Sequence, residues 1–96
     1  MALFVHAVVP GTTTGQYDAL HSALQERPGI FEGCLAHACV PTDEGIEVFD
    51  IWESEQHMNA FVEKMMPVAA EQGWPGAEVA PRVLRVHNHW VPGAAG

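Results

Sequence analysis

Two segments, "GCLAHACV" (residues 33–40) and "IEVFDIWE" (residues 46–53), decide the fold of this chain. Both are rich in apolar residues, and the second alternates apolar and polar positions as a half-buried strand does. The sequence between them, "PTDEG" (residues 41–45), consists mostly of residues that favour turns. The whole stretch therefore predicts a β-hairpin whose connection is about five residues long.

The sequence before this hairpin predicts a strand and then a helix. Residues 2–9, "ALFVHAVV", are rich in β-forming residues and end at a Pro-Gly turn. Residues 12–26 have apolar positions at helical spacing. Thr13 and Gln16 match a capping box, so we expect the helix to begin there.

The sequence after the hairpin predicts a second helix and a fourth strand. Ser54 is a suitable N-cap for the helix. We expect Pro67 to break or kink it, because proline lacks the backbone N–H that an inner helical turn needs. The segment 74–81 is expected to be an irregular loop. Residues 83–93, "VLRVHNHWVPG", predict the last strand.

The predicted order is β-α-β-β-α-β, which is typical of a ferredoxin-like α+β subunit. In this fold two helices cover one face of a four-stranded antiparallel sheet. We expect residues 1–92 to form a single domain and residues 93–96 to form a flexible tail. A chain of 96 residues buries little more than about 60% of its unfolded surface, so a partner subunit could cover further apolar area.

The charge of the chain limits its partners. The net charge is −8, and only four residues are Lys or Arg. Nucleic acid and anionic membranes both bind clustered cations, so neither is an expected partner. No signal-peptide pattern and no apolar run of about 18 residues is present, and we therefore expect a cytoplasmic protein.

Cys34 and Cys39 are expected to be free thiols. They lie five residues apart in a predicted strand, which is about 17 Å and exceeds the reach of a disulfide. Their odd spacing predicts that they lie on opposite faces of the sheet.

Strand alternation also predicts which residues line the sheet face that the helices leave uncovered. Leu84, Val86 and Trp90 are expected to face the helices. The predicted uncovered face is too aromatic to meet water and too rich in ionisable groups for a dry core, so we expect a water-containing cavity closed by a second copy of the sheet. This face is expected to carry Phe4, His6, Val8, His37, Val48, Asp50, Trp52, Arg85, His87 and His89.

The hairpin and the helix after it, "GCLAHACV…VFDIWESEQHMNAF", resemble the core of the antibiotic biosynthesis monooxygenase (ABM) group of dimeric α+β barrels. That core typically reads Gly-Cys-x-x-aromatic, then alternating apolar residues, then Trp-Glu-Ser or Trp-Glu-Asp and an amphipathic helix. The first strand, "FVHAVVPG", also resembles the opening strand of the group. The resemblance covers nearly the whole chain and implies a homodimeric barrel.

The resemblance implies an oxidoreductase of the cofactor-independent monooxygenase type, which acts on a small aromatic, polyketide-like or quinol-like substrate. By position, Trp52 matches the tryptophan of the third strand and Arg85 the arginine of the fourth. His37 lies near a position that often holds an aromatic residue or histidine. Two positions depart from the pattern, because Val48 replaces an expected Asn and Met58 an expected Tyr.

Four residues are predicted to be catalytic. His37 or His6 would act as the general base, a role that suits imidazole. Arg85 would stabilise the substrate anion and reduced oxygen, and Trp52 would stack on the substrate rings together with Phe4. Substrate contacts are expected at Phe4, Val48, Asp50, Met58, His87 and His89.

The same residues allow other functions. His6 and His37 could be hydrogen-bonded core histidines, and Arg85 could pair with Asp50. A non-catalytic protein of the same fold could bind haem or another small molecule. His87 and His89 point the same way in a strand, and with His6 they could instead hold a transition metal.

Overall fold

The computed structural model describes residues 2–74 and 80–93. Most of the predicted loop at 74–81 and the last three residues of the predicted tail lie outside this range. The elements are β1 (Leu3–Pro10), α1 (Thr14–Gln25), β2 (Cys34–Thr42), β3 (Gly45–Trp52), α2 (Glu55–Glu71) and β4 (Arg82–Arg85). Their order confirms the predicted βαββαβ arrangement.

The four strands form one antiparallel sheet with the order β2-β3-β1-β4. Both helices lie on the same side of it. Tyr17 of α1 contacts His37 of β2, and Phe61 of α2 packs on Trp52 of β3 with 4.9 Å between the ring centroids. His37 pairs with Asp50, two residues before Trp52, so the contacted residues share a face. The α+β ferredoxin-like fold is thus confirmed.

The hairpin between β2 and β3 is tighter than predicted. β2 extends to Thr42 and β3 begins at Gly45, which leaves only residues 43–44 between them. The Gly45 N–H donates to the Thr42 hydroxyl at 3.2 Å. A Cβ at Gly45 would overlap the carbonyl oxygen of Val9, so glycine allows the turn to pack against the end of β1.

The start of α1 confirms the predicted capping box. The Thr13 side chain accepts a hydrogen bond from the Gln16 N–H at 3.1 Å. The Gln16 side chain in turn accepts one from the Thr13 N–H at 2.9 Å. These two bonds satisfy backbone donors that the helix itself leaves unpaired.

The second helix confirms one prediction and contradicts another. Ser54 caps it as expected, since its hydroxyl accepts from the His57 N–H at 3.2 Å. The expected break at Pro67 is wrong, because α2 continues through this residue to Glu71. Val68 and Ala69, directly after the proline, are only 4% and 7% exposed. Their burial offsets the hydrogen bond that the proline removes.

The core lies between the two helices and the segment that leads from α1 into β2. Its buried residues come from α1, this segment and α2, while partly buried aromatic side chains close it from the sides. Such contiguous burial is the main stabilising term for a chain of this size. The buried residues of this cluster are Leu20, Leu24, Ile30, Val68 and Ala69, and the core continues into the sheet with the buried residues Val5, Ile46 and Trp52.

The last strand is much shorter than the predicted range 83–93. β4 ends at Arg85, which pairs with Leu3, the first residue of β1. One further hydrogen bond, from the Val86 N–H to the Ala2 carbonyl at 2.9 Å, follows. Beyond it the chain has passed the first residue of β1, residues 86–93 are not part of a strand, and Trp90 is 76% exposed.

A β-bulge in β2 contradicts the prediction that Cys34 and Cys39 lie on opposite faces. The pairing with β3 shifts between Cys34 and Ala36, so Leu35 is an extra residue. One extra residue reverses the alternation before it, and both cysteines therefore lie on the same face. Both are free thiols, as expected.

The longest helix in the described ranges is α2, with 17 residues. None of the helices in residues 2–74 and 80–93 is both long enough and apolar enough to cross a membrane.

Candidate functional site

The strand register assigns every paired residue to one of two faces, because residues directly opposite each other in neighbouring strands share a face. The helix face, which packs under α1 and α2, carries Leu3, Val5, Ala7, Cys34, His37, Cys39, Val48, Asp50, Trp52, Val83 and Arg85. The open face, on the other side, carries Phe4, His6, Val8, Ala36, Ala38, Val40, Glu47, Phe49, Ile51, Arg82 and Leu84.

The prediction that the candidate residues share one uncovered face is therefore wrong. Only three members of that set lie on the open face: Phe4, His6 and Val8. The paired members from the other strands lie on the helix face, namely His37, Val48, Asp50, Trp52 and Arg85.

The register between the strands decides which residues share a face, and it differs from the predicted one. Alternation divides each strand into two sets, but only the register between strands tells which sets belong together. Leu84 pairs with Phe4 and thus lies on the open face, whereas it was expected against the helices.

His37 is the centre of a hydrogen-bonded chain on the helix face. Its Nδ1 pairs with a carboxylate oxygen of Asp50, the residue directly opposite on β3. Its Nε2 pairs with the hydroxyl of Tyr17 on α1. The His37 side chain is 26% exposed and that of Asp50 is 13% exposed, so the chain leads from the sheet toward solvent.

The chemistry of the two ends fixes the direction of the proton donors. An ionised carboxylate only accepts, so Nδ1 of His37 carries the hydrogen in the bond to Asp50. Burial raises the pKa of Tyr17 to about 12, and repulsion from the Cys39 thiolate, which forms only at alkaline pH, and from Asp50 and Asp18 adds to the shift. Tyr17 is therefore a phenol at neutral pH, and its hydroxyl is the hydrogen-bond donor to Nε2 of His37.

Two aromatic rings of α1 lie parallel to the imidazole of His37. The ring of His21, one turn after Tyr17 on α1, lies parallel to it at 5.6 Å with an interplanar angle of 2°. Tyr17 is also stacked, at 5.5 Å from His21 and 5.8 Å from His37. Stacked rings restrict the rotation of the imidazole and so hold its nitrogens toward their two partners.

The two cysteines of the helix face lie near the hydrogen-bonded residues Asp50, His37 and Tyr17. Both thiols stay protonated at neutral pH. Burial, and then the charge of Asp50, raise the pKa of the Cys34 thiol, while a backbone hydrogen bond lowers it in part. Burial and the charge of Asp18 raise the pKa of the Cys39 thiol. Since the thiolate is the reactive form, neither thiol is activated as a nucleophile.

The open face carries a second histidine–carboxylate pair. Nε2 of His6 lies 2.7 Å from a carboxylate oxygen of Glu47. The His6 ring stacks on Phe49 at 4.6 Å, and Phe4 lies 6.2 Å from the same phenyl ring. His6 is therefore part of a largely apolar surface and does not approach His37.

Arg85 lies far from His37, although the two were expected to act together. They belong to the two edge strands, β4 and β2, which are separated by three strand spacings, or about 14 Å. Asp50 pairs with His37 rather than with Arg85. Arg85 instead lines a recess of about 400 Å³, together with Leu3 and residues 54–56 at the start of α2.

The remaining candidates on the helix side lie in or near packed regions. Trp52 is 1% exposed and packs on Phe61, so it belongs to the core. Val48 is half-buried beside Ala7, its partner on β1. Met58 is half-buried in α2. The structure thus does not bring these residues to the exposed end of the His37 chain.

His87 and His89 follow β4 and are not part of a strand. Within residues 2–74 and 80–93, no group of three or more His, Cys, Asp or Glu side chains could hold a metal ion. His6, His87 and His89 therefore do not form the alternative metal site in this part of the chain.

Tyr17 and His21 were not among the predicted site residues. The sequence places both only within the helix predicted over residues 12–26. Their spacing of four residues places them on one face of α1. Leu20 and Leu24 mark this face as the one that packs inward, so the sequence does indicate that Tyr17 and His21 lie close to the sheet. Which strand residues they contact depends on how α1 packs across the sheet.

Known proteins share this fold but little of the sequence. A candidate antibiotic biosynthesis monooxygenase from Chloroflexus aurantiacus superimposes with a TM-score of 0.64 at 20% identity, covering 94% of this chain and 98% of that one. The monooxygenase from the gene ActVA-Orf6 of Streptomyces coelicolor, solved with the ligand nanaomycin D, gives 0.56 at 18% identity, covering 95% and 90%. A Nitrosomonas europaea protein of unknown function, NE2512, gives 0.59 at 15% identity, covering 97% and 94%.

The chain thus has the fold of the ABM-like proteins, and the predicted resemblance is confirmed at that level. No protein-family model matches the sequence, and no functionally curated protein matches it significantly. Proteins of this fold include members without an assigned function, so activity has to be argued from the site.

Proposed function

We propose that this protein is a cofactor-independent monooxygenase for a small phenolic, polyketide-like or quinol-like substrate. The observation that carries the proposal is the His37–Asp50 pair, which is hydrogen-bonded to Tyr17 at the partly exposed side of the helix face. A histidine oriented by a carboxylate is suited to general-base catalysis. The similarity in fold to a monooxygenase solved with nanaomycin D supports the choice of reaction and substrate class.

His37 is the proton acceptor in this reaction. Removal of a proton from a phenol or its keto tautomer gives a carbanion that transfers one electron to dioxygen. The two radicals combine into a hydroperoxide, which loses water and leaves a carbonyl group. For a methylene carbon, CH₂ and O₂ become C=O and H₂O, so the substrate supplies all the electrons and no cofactor is needed. Asp50 holds the imidazolium that forms.

We further propose that two copies of the chain associate through their open faces. This face exposes apolar side chains that a monomer would leave in water, including Val8, Val40 and Leu84 at 44–45% exposure, together with the aromatic rings beside His6. A contiguous apolar sheet face of this kind marks an interface. The similarity in fold to ABM proteins supports the same arrangement.

We propose a cytoplasmic location, which the two free cysteines support. Neither Cys34 nor Cys39 is in a disulfide, and free thiols persist in a reducing compartment.

Oxygen consumption with a panel of anthrones and quinols tests the proposed activity. We expect the wild-type protein to consume oxygen with at least one member and to form the carbonyl product. His37→Ala should lower the rate by about 100-fold to 10,000-fold, the usual contribution of a general base. Asp50→Asn should also lower it, since the asparagine cannot stabilise the imidazolium.

The same substitution at His6 tests the other histidine. Because His6 lies on the open face, we expect His6→Ala to retain the rate per folded dimer. Loss of turnover in His6→Ala but not in His37→Ala would contradict the assignment. Binding of a panel member without any turnover would favour the non-catalytic alternative.

A further inference from the structure

The two ring nitrogens of His37 are both occupied. Nδ1 faces Asp50 and Nε2 faces the hydroxyl of Tyr17, while His21 covers one face of the ring at 5.6 Å. A neutral imidazole has only one nitrogen that can accept a proton. In His37 this atom is Nε2, and the Tyr17 hydroxyl already fills its position.

We propose that Tyr17 is the catalytic residue that meets the substrate and that it passes the proton on to His37. The inference rests on the proposed monooxygenase function and deepens it. It also narrows the substrate class to compounds whose acidic proton is on oxygen, a phenol or an enol, because the Tyr17 oxygen has to accept this proton through a hydrogen bond and a C–H group is a poor donor.

The proton balance of this step is simple. The substrate hydroxyl gives its proton to the Tyr17 oxygen, while the Tyr17 proton moves to Nε2 of His37. His37 keeps its hydrogen on Nδ1 and becomes an imidazolium beside the Asp50 carboxylate. Tyr17 is unchanged at the end, and the substrate is left as an anion that can react with dioxygen.

The surroundings of Tyr17 favour this role. Its high pKa keeps the hydroxyl protonated at neutral pH, so the hydroxyl can donate to His37 at the start of the reaction. The stacked ring of His21, at 5.5 Å, holds the phenol in place from the same helix. The Tyr17 ring is half-buried, which leaves part of it accessible to a substrate.

The experiment compares Tyr17→Phe with His37→Ala in the oxygen-consumption assay. If Tyr17 transfers the proton, Tyr17→Phe loses activity by about 100-fold or more. If the substrate meets His37 directly, Tyr17→Phe frees Nε2 and keeps or increases the rate, which would overturn the inference while the proposed function stands. Ser22→Ala, at an exposed position of the same helix, is the matched control and should behave as the wild type.

A proton inventory in mixtures of H₂O and D₂O adds a readout that a structural role of Tyr17 would not affect. Transfer of two protons in one step gives a curved dependence of rate on deuterium content in the wild type. A linear dependence would show that a single proton moves and would contradict the relay. Absence of turnover in the wild type with every substrate would instead refute the proposed function, and the inference with it.

The hydrogen-bonded chain can be tested without a substrate, because Tyr17 is the single tyrosine of the protein. Tyrosinate absorbance at 295 nm therefore reports its ionisation alone. Asp50 is one of the charges that raise the pKa of Tyr17, so Asp50→Asn should lower it. An unchanged titration curve in a variant with native circular dichroism would contradict the contact on which the relay depends.

Discussion

The two faces of the sheet each carry a histidine paired with a carboxylate, and the two pairs differ in their third partner. On the helix face, His37 joins Asp50 to the hydroxyl of Tyr17. On the open face, His6 joins Glu47 and stacks on Phe49. His37 has a proton donor, the Tyr17 hydroxyl, at its second ring nitrogen. The His6 ring instead stacks on the apolar ring of Phe49.

The comparison shows that histidine–carboxylate pairing by itself does not define a proton-transfer site. The His6 and Glu47 side chains are exposed to similar extents, 27% and 31%, which is typical of a weak surface pair. Asp50 is only 13% exposed and is held in line by its strand position. A third group and a less exposed carboxylate distinguish the helix-face pair.

The largest difference between the faces is expected in stability. Trp52 on the helix face is 1% exposed, so Trp52→Ala should lower the free energy of unfolding by about 3–5 kcal/mol. Leu84→Ala on the open face, at a position that is 44% exposed, should cost much less in the monomer. Urea unfolding of both variants at low protein concentration measures the difference, and equal losses would contradict the assignment of the faces.

Association is expected to depend on the open face alone. Val40→Lys places a charge on this face, at a position that is 44% exposed, and should weaken a dimer by at least about tenfold because the charge would be buried. Met66→Lys, on α2 and 56% exposed, is the control that should leave association unchanged. Light scattering over a concentration series measures both. A monomeric wild type at micromolar concentration would refute the dimer.

Ionisation of Tyr17, on the helix face, should make the free energy of unfolding depend on pH in the alkaline range. Its pKa rises from 10.0 to about 12 on folding, so the unfolded chain loses this proton first and the contribution is complete below pH 10. As the pH increases from 10 to 12, the unfolded state binds fewer protons than the native state, and stability falls. In denaturant unfolding, the free energy of unfolding of Tyr17→Phe should fall less steeply between pH 10 and 12 than that of the wild type. Identical slopes in the two proteins would contradict the raised pKa of Tyr17.

The smallest effect is expected at the open-face pair. Glu47→Gln should change the free energy of unfolding of the monomer by less than about 1 kcal/mol, as is usual for partly exposed ion pairs. Thermal unfolding at low concentration measures it. A loss as large as that of Asp50→Asn would remove the distinction between the two pairs.

Local patterns in the sequence were sufficient to predict the fold. Thr13 and Gln16 mark the start of α1, Ser54 marks the start of α2, and strand alternation separates the hairpin from its neighbours. Each signal acts within a few residues, so it can be recognised without knowing the rest of the structure. That α2 continues without a break through Pro67 could not be predicted, because the burial of Val68 and Ala69 comes from tertiary packing.

The candidate site was predicted only in part because it depends on contacts between elements. His37 and Asp50 were both singled out, and they are partners. The face they share, and their link to Tyr17, follow from strand register, from the extra residue at Leu35 and from the position of α1. None of these three features can be predicted from residue spacing in the sequence.

The bulge at Leu35 also affects how the protein avoids aggregation. β2 is an edge strand, and a regular edge offers free backbone groups to strands of other molecules. Leu35 interrupts the regular spacing near one end of β2, and Pro41, which has no N–H to donate, lies near the other. At the opposite edge β4 has only four residues. Both edges therefore disfavour the open-ended addition of strands from other molecules.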